Sequence, residues 1–167
     1  MQIEPVPAVP GLYLVHEAYD TALLAQFLAE PLPAQHATLD LQETLPRRTF
    51  REFEHATWTQ LLASQDQAPL EMLGWRINSS VYWIDSPGFR MGIHADNARV
   101  QAAMQIYLGN GQDLGTRFYD QDHALLFTVP YAWNCGYIMI NYGQLHAAPY
   151  VMQGQRCSIY TWLEPKY

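Results

Sequence analysis

The chain has 167 residues, 49% of them apolar and 13% aromatic, which is enough for one packed domain and too rich in core-forming side chains for a disordered one. Charged residues make up only 15% and the net charge is −7, which argues against a nucleic-acid backbone as partner, because phosphate binding wants a basic surface. Two cysteines, Cys135 and Cys157, are too few for a disulfide framework and form no Cys-x-x-Cys pattern, so both are expected as reduced thiols.

Met1 to Pro10 carries Glu4 and three prolines, with no basic start and no apolar stretch of signal-peptide type. No apolar run reaches membrane-spanning length, so the expectation is a cytoplasmic protein with no membrane partner. Residues 1–12 are expected to be extended. Asp20 is placed to cap a helix running to about Glu30, with Leu23, Leu24, Phe27 and Leu28 as its apolar stripe and Pro31 and Pro33 ending it. Residues 31–46 read as irregular, a second helix is predicted over about 54–64 with Trp58, Leu61 and Leu62 toward the core, and a short helical turn near 68–73.

From Trp75 the character changes. Short β-rich runs at 76–84, 90–96, 100–108, 116–119, 124–128, 136–141, 146–151 and 155–163 alternate with turn sequences such as Asp85-Ser86-Pro87-Gly88 and Gly109-Asn110-Gly111. Two helices followed by about eight strands predict a mainly β protein with flanking helices (α+β), a double-stranded β-helix or jelly roll with the N-terminal helices packed on one sheet. One domain covers 1–167, with an N-terminal helical part at 1–74 and a β-helix core at 75–163.

The chemistry centres on His94-Ala95-Asp96 and on His146, 52 residues downstream. Two residues apart on a strand is one pleat, so His94 and Asp96 are expected on one face. Two imidazoles and a carboxylate can occupy one face of an octahedral metal such as Fe(II) and leave positions open for other ligands. Taken alone, a His-x-Asp pair is a weak signal, and a strand histidine hydrogen-bonded to a carboxylate is the ordinary alternative. His146 follows the turn Asn141-Tyr142-Gly143-Gln144, which places it at a strand start near a barrel opening. In the last β-run Arg156, Ser158, Tyr160 and Trp162 share a face. An inward face that begins with arginine needs an anion, because an unpaired buried guanidinium is costly, and Ser158 offers a hydroxyl to the same anion. On 100–108, Gln101, Ala103, Gln105 and Tyr107 form a mixed face, while Val100, Ala102, Met104, Ile106 and Leu108 form an apolar face that should meet the helices.

This set resembles the Fe(II)/2-oxoglutarate-dependent dioxygenases, which carry His-x-Asp, a distal His and, about ten residues later, Arg-x-Ser. Ile106-Tyr107-Leu108 is similar to the Tyr-Leu-Asn strand of the prolyl-hydroxylase-like branch, with Gly109 in place of Asn. Gly115-Thr116-Arg117-Phe118-Tyr119 is similar to its Gly-Gly-x-Thr-x-Phe segment, with Leu114 in place of the first Gly, and Trp162 matches a Trp six residues after the Arg. The resemblance covers about 75–163. It implies an iron-dependent hydroxylase in which His94, Asp96 and His146 hold Fe(II), while Arg156, Ser158 and Tyr107 hold the far carboxylate of 2-oxoglutarate, with O2 as the second cosubstrate. Gln105, Arg90, Trp162 and Thr116 are the candidate substrate-side residues. The stretch between His94 and Tyr107 is shorter than in the family, so the substrate stays open among a peptide side chain, an amino acid and a small metabolite. A cupin-type metalloenzyme that uses no 2-oxoglutarate and a non-catalytic β-helix binding module are the other readings. The oligomeric state is not legible.

Overall fold

The computed structural model describes residues 1–29, 48–51, 56–97, 100–111, 114–140 and 143–167. The irregular segment predicted at 31–46, the prolines that were to end the first helix, and the Asn141-Tyr142 part of the predicted turn lie outside the described residues.

Two antiparallel sheets face each other. The larger has the order β1-β2-β9-β6-β11-β4-β3 and the smaller β5-β10-β7-β8. The strands of the first are Gln2–Pro5 (β1), Leu12–His16 (β2), Arg48–Arg51 (β3), Trp75–Asp85 (β4), Ala102–Tyr107 (β6), Cys135–Met139 (β9) and Arg156–Pro165 (β11). Those of the second are Met91–His94 (β5), Arg117–Tyr119 (β7), Leu125–Thr128 (β8) and Leu145–Ala148 (β10). This is the jelly roll expected, with all eight predicted runs present as strands. β1 falls in the segment expected to be extended, while β2 and β3 depart from the expected helical character of the N-terminal part; all three belong to the larger sheet. The short apolar run Leu12-Tyr13-Leu14-Val15 suits a strand buried in the sheet, and Gly11, with φ of +83°, permits the turn that starts β2.

The helices Thr21–Ala29 (α1), Ala56–Ala63 (α2) and Ala68–Met72 (α3) cover the outer face of the larger sheet. Asp20 caps α1 as predicted, its Oδ1 accepting from the backbone N–H of Ala22 and Leu23 at 2.9 Å each. Leu24 and Phe27 of α1, Trp58 and Leu61 of α2 and Leu70 of α3 pack on Met104, Ile106, Ile159 and Ile84 of the sheet. The apolar face of β6 therefore meets the helices, which leaves Ala103, Gln105 and Tyr107 turned toward the smaller sheet. A second core between the sheets joins Tyr107, Phe118, Tyr131, Tyr137 and Met139. Burial of these two clusters drives the sandwich together, at about 25 cal/mol per Å² of apolar surface removed from water.

β11 is the spine. It lies between β4 and β6 and pairs with both over most of its length. Its register sets Arg156 opposite Asp85, Ser158 opposite Trp83 and Tyr107, and Tyr160 opposite Gln105. At β9, Gly136 is a steric requirement, since a Cβ there would overlap the Gln105 carbonyl oxygen of β6. Gly115, just before β7, likewise lies against the Val129 backbone. Among the described residues no helix is long and apolar enough to cross a membrane.

Candidate metal and anion site

His94 ends β5 and is the direct cross-strand partner of His146 on β10. Their rings are 4.3 Å apart between centroids. β5 stops at His94, so Asp96 lies beyond the strand, and the one-pleat argument for its position fails. Asp96 Oδ1 lies 3.8 Å from His94 Nε2 and 3.7 Å from His146 Nε2. Ligand atoms of the three residues lie within 4.8 Å of one another.

The outer nitrogens of both imidazoles are engaged in the same way. His94 Nδ1 is 2.8 Å from the Gly92 carbonyl and His146 Nδ1 is 3.0 Å from the Gln144 carbonyl. A carbonyl only accepts, so each Nδ1 carries the proton and each Nε2 presents its lone pair to the space beside Asp96. This is how metal-binding histidines are oriented by their backbone neighbours. His146 is buried against Phe118, whose ring lies 5.9 Å away at 29°, and burial lowers its pKa below 6.5, with Asp96 opposing the shift. A neutral ligand is thus favoured. The donor set, two imidazole nitrogens and one carboxylate oxygen on one side of a shared point, fits a divalent first-row metal such as iron.

A cleft runs inward from this point, with about 350 Å³ of empty space counted out to its open mouth. Asp96, His146, Arg48, Arg156, Gln105 and Thr116 all line it. Arg156 is 1% exposed and Asp85 0%. Arg156 donates to Asp85 Oδ2 from Nε at 2.9 Å and is 2.7 Å from it through Nη2, while its Nη1 donates to the Leu114 carbonyl at 3.1 Å. On the other side of Asp85, Arg48 donates from Nε to Oδ1 at 2.5 Å and from Nη2 to Oδ2 at 2.9 Å. Two buried guanidiniums share one carboxylate, so this part of the lining carries one surplus positive charge, a setting that fits one carboxylate of a dicarboxylic acid.

The other predicted residues fall into two groups. Gln105 connects Tyr137 and Ser158: it accepts from the Tyr137 hydroxyl at 2.8 Å and donates to Ser158 Oγ at 2.9 Å. Tyr107 is fully buried, and its hydroxyl accepts the Thr116 N–H at 2.9 Å and shares a 2.7 Å hydrogen bond with Thr116 Oγ1. Thr116, not Tyr107, therefore forms the cleft surface there. Trp162 packs edge-on against Tyr160, itself stacked on Trp83 at 4.4 Å, and these last two line the cleft where Trp162 does not. Arg90 is exposed ahead of β5 and is not part of the cleft wall.

The sequence reading missed Asp85, Arg48 and Trp83. Asp85 had been read only as the opening of a turn. Its parity with Val81 and Trp83 on an otherwise apolar strand face was the available signal. Arg48 carried none, because its strand pairs with a partner 37 residues away.

No protein-family model matches the sequence, and no curated protein matches it. Solved structures do. A prolyl-4-hydroxylase of Pseudomonas putida matches at a TM-score of 0.64 and 18% identity over 94% of this chain and 94% of that one. An oxidoreductase of the 2OG-Fe(II) oxygenase family from Burkholderia pseudomallei matches at 0.69 and 15% over 94% and 85% of the two chains. HygX from Streptomyces hygroscopicus, solved with nickel, 2-oxoglutarate and hygromycin B, matches at 0.67 and 11% over 94% and 84%. The chain has the fold of the 2OG-Fe(II) oxygenases over nearly its whole length.

Proposed function

We propose that the protein is an Fe(II)- and 2-oxoglutarate-dependent dioxygenase that hydroxylates an unactivated C–H bond of a peptide side chain, an amino acid or a small metabolite. The observation that carries this reading is one cleft lined both by Asp96 and His146 of a two-His, one-carboxylate donor set and by two buried arginines that share a single carboxylate. When bound, the iron supplies O2 activation coupled to oxidative decarboxylation of 2-oxoglutarate, with one oxygen atom entering succinate and the other the substrate.

The chain supplies binding, orientation and control of water. His94, Asp96 and His146 would hold the metal through three donor atoms, which would leave it able to take a 2-oxo acid and O2 as further ligands. The Gly92 and Gln144 carbonyls fix both histidines as Nδ1–H tautomers, so no rearrangement is needed on metal binding. Arg156 holds the far carboxylate with a guanidinium whose direction Asp85 and Leu114 fix. The Tyr137–Gln105–Ser158 chain and the Thr116–Tyr107 pair keep the wall of the cleft rigid, with their polar groups satisfied inside the protein. A cupin-type metalloenzyme without 2-oxoglutarate would leave that buried positive charge with no counter-ion.

The test is anaerobic binding of Fe(II) and 2-oxoglutarate, followed by succinate release under O2 against amino acids and peptides. One metal per chain, metal-dependent 2-oxoglutarate binding and slow succinate formation without substrate are expected. Metal binding without any 2-oxoglutarate binding would favour the cupin-type reading, and no metal binding would favour a non-catalytic module.

A further inference from the structure

Arg48, Asp85 and Arg156 form one row across three neighbouring strands, β3, β4 and β11, with Asp85 in register with both arginines. All three are buried, at 3%, 0% and 1% exposure. Every nitrogen of the Arg156 guanidinium has a protein partner, two on Asp85 and one on the Leu114 carbonyl. Arg48 differs. Its Nε and Nη2 are turned on Asp85, and its buried Nη1 has no partner among the described residues.

A buried unsatisfied N–H of a cation is costly and calls for an acceptor. The Arg48 side chain cannot readily swing out to find one in water, since its guanidinium is sandwiched between Trp83 at 4.0 Å and Phe89 at 4.3 Å from the ring centroids. It lines the same cleft as Asp96 and His146. The charges there also balance for one class of ligand. A divalent metal on Asp96 would leave one positive charge there, and the Arg–Asp–Arg row leaves one of its own. A dicarboxylate neutralises both, whereas a monocarboxylate leaves the row's charge bare.

Building on the proposed use of 2-oxoglutarate, we propose that Arg48 is a direct ligand of its far carboxylate, donating from Nη1 alongside Arg156, with Asp85 as the spacer that fixes both guanidiniums. The cleft thus selects a dicarboxylic 2-oxo acid through two arginines: Arg156 keeps one free N–H on each of Nη1 and Nη2, and Arg48 has a whole nitrogen, Nη1, with no protein partner among the described residues.

The experiment is titration of the protein loaded with Mn(II), under anaerobic conditions, with 2-oxoglutarate and with 2-oxopentanoate, which has a methyl group where the far carboxylate would be. Wild type should prefer 2-oxoglutarate strongly. Arg48→Met, which keeps a side chain between Trp83 and Phe89, should weaken 2-oxoglutarate tenfold or more and leave 2-oxopentanoate unchanged. Arg48→Lys should recover part of the loss. Unchanged 2-oxoglutarate affinity in Arg48→Met, or an equal loss for both acids, overturns the role of Arg48 and leaves the proposed function standing. Wild type that binds neither acid overturns both. Should the variants fail to fold, a crystal structure of wild type with Mn(II) and 2-oxoglutarate decides: a far-carboxylate oxygen within hydrogen-bonding distance of Arg48 Nη1 supports the assignment, and a carboxylate held by Arg156 without Arg48 overturns it.

Discussion

Arg156 and Asp85 are cross-strand partners between β11 and β4, both essentially removed from solvent, with the guanidinium bound to Oδ2 through Nε and Nη2. The residue proposed to anchor the cosubstrate is therefore also part of the sheet's own polar core. A substitution here acts on stability as well as on binding.

Asp85→Asn should destabilise the protein by about 3–5 kcal/mol, the usual cost of leaving a buried charge unpaired, because two guanidiniums lose their shared counter-charge. Equilibrium urea unfolding of wild type and variant, without ligand, measures this. A loss under about 1 kcal/mol would place the row's charges in far better contact with water than their burial implies.

His94→Ala or Asp96→Ala should abolish stoichiometric Fe(II) binding with little effect on folding. Their side chains are 30% and 20% exposed, so truncation leaves no large cavity, but it removes one of the three proposed metal ligands found among the described residues. Metal content after anaerobic loading, alongside far-UV circular dichroism, gives both readouts. Full metal occupancy in both variants would remove the site.

The metal-free protein should lose stability as pH falls below about 6.5. Burial lowers the His146 pKa in the folded state from 6.5, while the unfolded chain takes up its proton near that value. The unfolded state then binds more protons, so the stability that is present above pH 6.5 is lost progressively as pH falls through the lowered folded value. His146→Gln should flatten this part of the melting-temperature profile. An identical slope in wild type and variant would assign the effect to other groups.

Gly136→Ala should cost about 1–3 kcal/mol, the range for overpacking a tight site, because its Cβ would overlap the Gln105 carbonyl oxygen. The resulting shift of β6 should also loosen the Tyr137–Gln105–Ser158 chain and weaken 2-oxoglutarate binding. Gly92→Ala is the control, since a Cβ there meets nothing within 4 Å and should be near neutral. Melting temperatures of the two variants separate the cases.

Much of the architecture was legible because it rests on local periodicity. The alternation along β6 and β11 assigned the helix-facing and inward-facing sides, and Asp20 marked the start of α1. The N-terminal strands were missed because prolines and short runs hide pairing that the sheet, not the segment, decides. Asp96 clusters with His94 and His146 although it lies beyond the end of β5, because a strand end cannot be read from two residues of alternation.

The donor types and their order along the chain are written in the sequence: two histidines, an aspartate, and an arginine and a serine one pleat apart on a final strand. Those follow from side-chain chemistry and from a period of two, both of which are local. Only the tertiary structure decided that Asp85 ties Arg156 to Arg48, that Thr116 stands between Tyr107 and the cleft, and that His94 and His146 face each other with their Nε2 atoms inward. Each of those relationships joins residues on different strands, and strand pairing is set by burial of the whole sandwich, which no local stretch of sequence encodes.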